Sequence, residues 1–294
     1  MRALICVGGG LGDVVMATPT IRAVHRMGYV CDVLIKPDVA IATAIFDGWE
    51  AIHNVFTSKL PPKSCEYDAV IRTWWHQDYT LDCGPEYVPG KHNLRKEHEA
   101  EACLASARSL GYTGPVPEPF VSVPRSCNVE LPRSFIAICP GFSGKQGRSF
   151  WSRKSWPHWN EFMRARPDDT FVVLGSDRDK KDFSDLRGVN VINMLGRTEL
   201  KDAIYALNES RFVVAVDNGL AHIASALDKF TFALFGSTSE AKNRPMGRRS
   251  IVISLNVRCR PCQMTPLWHT CLEYLCMSEL SADFVWSEIQ REGL

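Results

Sequence analysis

Five prolines between Pro115 and Pro132 interrupt a chain whose two flanks read alike, each alternating short apolar runs with amphipathic stretches. Proline continues neither a helix nor a central strand, so this stretch reads as a linker. The alternation on either side is the βαβ signal of a parallel sheet. Before the break, strands are expected at 3–7, 30–35, 52–56 and 69–73, and helices at 15–27, 39–46 and 95–110. After it come strands at 135–139, 170–174, 189–192, 212–216 and 231–235, with helices at 157–166, 179–186, 199–208 and 220–227. Pro157 suits a first helical turn and Thr198 an N-cap. The expected division is 1–130, 131–277 with a cysteine-rich segment at 259–276, and a short amphipathic helix within 278–294 carrying Phe284, Val285, Trp286 and Ile289. Two such α/β halves bind ligands where strand C-termini face the space between them.

Lys plus Arg total 34 against 33 Asp plus Glu, a net charge of +1 that excludes a globally basic nucleic-acid binder or an acidic tail. Local basic patches stay open. No apolar run approaches the ~20 residues of a membrane span, so no integral membrane segment is expected. The first residues run too soon into glycines for a signal h-region. With no export signal and an odd count of eleven cysteines, the expected compartment is a reducing cytoplasm. Cys6, Cys31 and Cys139 fall in apolar runs and read as small hydrophobes.

Three loops follow expected strands. The first, Gly8-Gly9-Gly10-Leu11-Gly12-Asp13, lacks the third glycine of a dinucleotide fingerprint, which disfavours NAD. Asp13 reads either as a helix cap or as a carboxylate general base. The second runs from Pro140-Gly141 through Lys145 and Arg148 to Arg153-Lys154-Ser155-Trp156, four cations with no acid between them. It is no Walker A loop; it is a solvated basic loop or an anion site at the head of a helix. In the third, an apolar strand enters a small-residue helix through Asp217-Asn218-Gly219-Leu220, with His222 one turn on. Free N–H groups there would meet a diphosphate, while the plainer reading makes Asp217 an N-cap and His222 a satisfied helix residue. Phe235-Gly236-Ser237-Thr238 adds hydroxyl and N–H donors after the next strand.

Cys259, Cys262, Cys271 and Cys276 form C-x2-C-x8-C-x4-C. Four thiolates suit tetrahedral Zn or a single Fe as a structural site, with His269 able to replace one ligand. Otherwise four reduced thiols pack a small terminal subdomain.

Together these segments resemble glycosyltransferase family 9, the ADP-heptose:lipopolysaccharide heptosyltransferases. The residues that carry the likeness are Gly-Leu-Gly-Asp-Val-Val-Met-Ala-Thr-Pro at 10–19, Pro140-Gly141 with Lys154-x-Trp156-Pro157, and Val216-Asp217-x-Gly219-Leu220-x-His222-x-Ala224-x-Ala226-Leu227. Leu234-Phe235-Gly236-x-Thr238 and the cysteine-rich end agree. The resemblance implies an α/β GT-B fold, two Rossmann-like domains whose parallel sheets face a cleft, with the terminal helix crossing back to the N-terminal domain. It implies Asp13 as catalytic base and Lys154 as the phosphate-binding lysine. Gly12, Gly141, Asp217, Asn218, Gly219, Leu220, His222 and Thr238 then border the donor. Asp179 matches the acid that holds the ribose, with Asp177 as the alternative. The family usually has Thr at the place of Asn218. Trp74, Trp75 and His76, with Lys91, His92 and Arg95 nearby, fall where the family holds its acceptor. Some members that modify autotransporter proteins carry iron at such a cysteine cluster; catalysis needs no cofactor.

The implied activity is inverting, metal-independent transfer of heptose or a similar hexose from a nucleotide-diphosphate donor, ADP-sugar favoured. The acceptor hydroxyl belongs to lipopolysaccharide core or another polymer, alternatively to a protein or a hydroxylated base of phage DNA. Asp13 removes its proton while Lys154 and the 217–220 N–H groups take up the leaving charge, and closure of the two domains gates the step. A non-catalytic nucleotide- or sugar-binding protein is the reading from another class.

Overall fold

The computed structural model describes residues 1–294 except 59–65, 74–81, 89–96, 143–152 and 264. The chain divides into two compact units, Met1–Ser122 and Val123–Leu294. The boundary therefore precedes the expected 130, because the proline-rich segment is tied down at both ends. Phe120 N donates to Thr18 Oγ1 at 2.8 Å and Ser122 N to the Ile45 carbonyl at 2.9 Å, while Asn128 N donates to Asp202 Oδ1 at 2.9 Å.

In the first unit, strands β1 (Arg2–Val7), β2 (Val30–Ile35), β3 (Ile52–Phe56), β4 (Ala69–Arg72) and β5 (Glu86–Tyr87) pair in parallel in the order β3-β2-β1-β4-β5. Parallel strands covered on both faces read as unbroken apolar runs, and Ala3 to Cys6 of β1 are fully buried. Burial pushes the Cys6 and Cys31 thiols up to about 12, so both pack as neutral hydrophobes. The 37–46 stretch is a 3₁₀ segment kinked at Val39, not an α-helix.

Helix α1 (Leu11–Arg26) starts four residues before the expected 15, with Gly10 as its N-cap, and Pro19 lies inside it. Proline cannot supply the N–H that the Val15 carbonyl would take. The neighbouring hydroxyl does so instead: Thr18 Oγ1 donates to the Val15 carbonyl at 2.7 Å while accepting from Phe120 N. Thr18 is fully buried. Thr18→Val, equal in shape, leaves one buried donor and one buried acceptor unmatched, and is expected to cost about 2 kcal/mol. Urea unfolding checks this; a loss below about 0.5 kcal/mol, within ordinary surface scatter, would mean the hydroxyl is not what mends the helix. Helix α2 (Glu99–Ser109) completes this unit, capped by His98.

The second unit holds β6 (Ile136–Cys139), β7 (Phe171–Val173), β8 (Val191–Asn193), β9 (Val213–Val216), β10 (Thr231–Leu234) and β11 (Ser250–Ile253), all parallel, in the order β11-β10-β9-β6-β7-β8. The chain runs outward from β6 on one side and from β9 on the other. The switch point, where α/β sheets bind ligands, therefore lies between β6 and β9. The same reversal occurs in the first unit between β1 and β4.

The helices are α3 (Trp159–Arg164), α4 (Lys180–Phe183), α5 (Leu200–Glu209), α6 (Gly219–Ala226), α7 (Glu240–Asn243), α8 (Leu267–Thr270), α9 (Leu275–Ser278) and α10 (Ala282–Arg291). Two expected caps move. α5 is capped at Glu199, not Thr198, and its N–H is taken by Asp202 Oδ2 at 3.2 Å. α3 begins two residues after Pro157. The terminal helix α10 turns its apolar face onto its own unit. Trp286 stacks on Phe162 at 4.2 Å between ring centroids and donates from Nε1 to the Phe162 carbonyl at 2.9 Å.

Candidate functional site at the strand ends

The β1 loop turns at Gly9, whose φ is +86°, a conformation glycine adopts without strain. Gly12 lies in the first turn of α1. Asp13 is the third helical residue, not the N-cap, yet its Oδ2 accepts the Gly10 N–H at 2.6 Å. The carboxylate is folded over the loop so closely that a Cβ on Gly9 would lie 2.2 Å from Oδ2. Capping and a half-exposed acid at a strand end thus coexist in one side chain.

In the second unit three neighbouring strand ends converge. Lys154 stands two residues before Trp156, which is buried to 1% exposure and donates from Nε1 to the Leu280 carbonyl at 2.6 Å. Its ammonium donates to the Asp217 carbonyl at 3.0 Å and lies 2.9 Å from Asp217 Oδ2. Oδ2 has no hydrogen-bond partner among the described residues, so the second contact is an ion pair. His222 Nε2 approaches Asp217 Oδ1 at 4.0 Å, and all three side chains are largely withdrawn from solvent. A carboxylate so placed fixes the lysine head at the mouth of α6.

The cap of α6 is Asn218, not Asp217: Asn218 Oδ1 accepts the Ala221 N–H at 3.0 Å. The preceding N–H groups, of Gly219 and Leu220, belong to the first turn, which has no intrahelical acceptors. After β6, Gly141 lies directly against Asp179: a Cβ there would fall 2.4 Å from the Asp179 carboxyl carbon. Asp179 Oδ2 is held by Ser176 N and Oγ, each at 2.7 Å. Asp177, the alternative acid, is exposed and paired with Lys180 at 2.7 Å. On the other side, Thr238 and Ser237 are buried with hydroxyls that find no partner among the described residues.

The basic-loop expectation splits. Lys145 and Arg148 lie outside the described residues. Arg153 is 4% exposed, donates from Nε to the Cys271 carbonyl at 3.2 Å and covers the Tyr274 ring. Trp74, Trp75, His76, Lys91, His92 and Arg95 also lie outside the described residues.

Cys259, Cys262, Cys271 and Cys276 line one cavity of about 340 Å³. Burial, with the neighbouring Cys262 adding to it, pushes the Cys276 thiol up to about 11. Among the described residues, however, no three His, Cys, Asp or Glu side chains are arranged to hold a metal ion. Among the described residues the spacing that suits a tetrathiolate is thus not matched by a set of side chains placed to hold the ion. What the segment does is brace the β10 loop. Arg260 donates from Nε to the Gly236 carbonyl and from NH1 to the Leu255 carbonyl, each at 2.7 Å, and pairs with Glu240. Gln263 N donates to the Ser237 carbonyl and its Oε1 accepts from Ser239 N, both at 3.0 Å. Arg260 and Gln263 escaped sequence reasoning, because only the fold shows that they reach backbone carbonyls far along the chain; Arg153, expected as one of the loop cations, reaches the Cys271 carbonyl instead.

The model of Glycosyltransferase family 9 (heptosyltransferase) matches residues 91–270. The chain belongs to this family. A lipooligosaccharide heptosyltransferase 2 from Haemophilus ducreyi is 30% identical over 136 residues, 42% of this chain and 37% of that protein. The match thus spans little over a third of the curated relative. The structure of the E. coli ADP-heptose lipopolysaccharide heptosyltransferase II superposes with a TM-score of 0.76 at 17% identity, over 99% of this chain and 98% of that one. The iron-containing dodecameric glycosyltransferase TibC from enterotoxigenic E. coli gives 0.72 at 16% identity, over 99% of this chain and 78% of that one. The two Rossmann-like units are therefore those of the family 9 GT-B fold. Among the described residues, no helix is long and apolar enough to cross a membrane.

Proposed function

We propose that this family 9 chain is an inverting glycosyltransferase that uses a nucleoside-diphosphate sugar, with ADP-heptose or a close analogue as donor. The observation that carries the reading is the Lys154–Asp217 pair locked at the N-terminal end of α6, at the switch point of the six-stranded sheet. Two charges withdrawn from water at that place hold a cation ready for a diphosphate. Asp217 acts through Lys154, since a carboxylate facing a diphosphate directly would repel it. As the glycosidic bond breaks, negative charge grows on the departing diphosphate. Lys154 and the first-turn N–H groups of α6 stabilise it, the part played elsewhere by a divalent cation. Asp13 accepts the proton of the attacking hydroxyl. The hydroxyl enters opposite the leaving group, so one displacement inverts the anomeric carbon. Gly141 and Asp179 border the ribose. The cysteine-rich segment serves the donor site through the loop it braces, and Thr238 on that loop offers its hydroxyl. A cytoplasmic location accords with a soluble nucleotide-sugar supply.

A thermal-shift panel of ADP, GDP, UDP and NAD tests the donor. ADP at a hundredfold excess over its Kd is expected to add about 2.7 kcal/mol of apparent stability, with no shift from NAD. Stabilisation by NAD alone would reverse the reading.

A further inference from the structure

The side chain of Asn218 has no hydrogen left for a ligand. Its Nδ2 donates to the Cys139 carbonyl at 2.9 Å and to the Gly141 carbonyl at 2.7 Å, while Oδ1 accepts the Ala221 N–H. The amide orientation is unambiguous, because a flip would set its oxygen against two carbonyls and its nitrogen against an N–H. These bonds join β9 to the end of β6. Gly141, the residue so held, is in turn in contact with Asp179 beyond β7. One amide thus links the helix end that faces a diphosphate to the acid that faces a ribose, across three adjacent strands.

We infer that Asn218 is a positioning residue that sets the distance between the diphosphate pole and the ribose pole of the donor site, without touching the donor through its side chain. This rests on the donor reading above. A serine or threonine in its place still caps α6, but its single hydroxyl hydrogen cannot serve both carbonyls. The amide therefore adds something that a capping residue alone does not: it makes the two poles one rigid unit, so a ligand that spans both meets a preformed site.

The prediction is a difference between two ligands. Asn218→Ser keeps a first-rank cap and loses the strap. Binding of ADP, which spans both poles, is expected to weaken about tenfold, in line with the loss of two ordinary hydrogen bonds. Binding of inorganic pyrophosphate, which occupies one pole, should weaken by less than about threefold, a few tenths of a kcal/mol. Gly141→Ala, whose Cβ intrudes on Asp179 without altering the cap, should give the same signature by displacing the other end of the strap. It provides the readout should Asn218→Ser fold poorly. Donor KM should rise in both while kcat stays within about threefold. Equal losses for ADP and pyrophosphate would show that Asn218 ligates the diphosphate itself and overturn the inference; so would unchanged ADP binding. If the unaltered protein binds pyrophosphate but gains nothing from the nucleoside, the donor reading falls first, and the inference with it.

Discussion

Asp13→Asn is expected to turn over about 10²–10⁴ times more slowly than the unaltered chain, the usual worth of a positioned acid–base group, while unfolding at nearly the same denaturant concentration. The reason lies in the two tasks of the carboxyl. Its Oδ2 takes the Gly10 N–H, and an amide oxygen can take that hydrogen equally well. An amide cannot receive a proton from an attacking hydroxyl. The substitution therefore separates capping from catalysis, where Asp13→Ala would abolish both. Loss of turnover with donor affinity intact assigns the base. Native turnover in Asp13→Asn would leave Asp13 a cap and nothing more, and the transfer mechanism would need another acceptor for the proton.

The second large effect concerns Lys154. Lys154→Met keeps the length of the stem but strands the Asp217 carboxylate, which is 6% exposed in its side chain. Breaking one side of a withdrawn ion pair costs on the order of 3 kcal/mol, and the diphosphate loses its cation at the same time. Stability and donor binding both fall, so the single variant is ambiguous. Pairing it with Asp217→Asn resolves the matter. The double variant buries no lone charge and should recover most of the stability, yet donor binding should stay at least tenfold weaker, about 1.4 kcal/mol. Calorimetric titration with ADP beside urea unfolding reads both quantities. Recovery of ADP affinity in the double variant would show that the lysine only neutralises Asp217.

Where the chain was legible, burial made it so. β9, and β1 from Ala3 onward, are apolar without interruption because both faces of a parallel strand are covered. β5 and β11 went unanticipated for the opposite reason: they lie at sheet edges, and Glu86–Tyr87 is only two residues long. The apolar run at 39–46 reads as a helix, yet Val39 breaks it and the turns that follow are 3₁₀. At the site, Asp13, Lys154 and the Asp217–His222 segment could be found because each follows an expected strand. Their partnerships could not. Asp217 and Asn218 are both good caps by type, and only the carbonyls of β6 decide which one caps and which one grips a lysine. Likewise the cysteine spacing points to a metal, whereas Arg260 and Gln263, ordinary in the sequence, hold the β10 loop.

The crowding of Asp13 over Gly9 reaches beyond this mechanism. With only 2.2 Å between that oxygen and a would-be methyl, and with φ at +86°, position 9 is held to glycine for two independent reasons. Changing the acid at position 13 would remove only one of them. Enlarging that turn at position 9 would therefore displace the Asp13 carboxylate before it altered anything farther away.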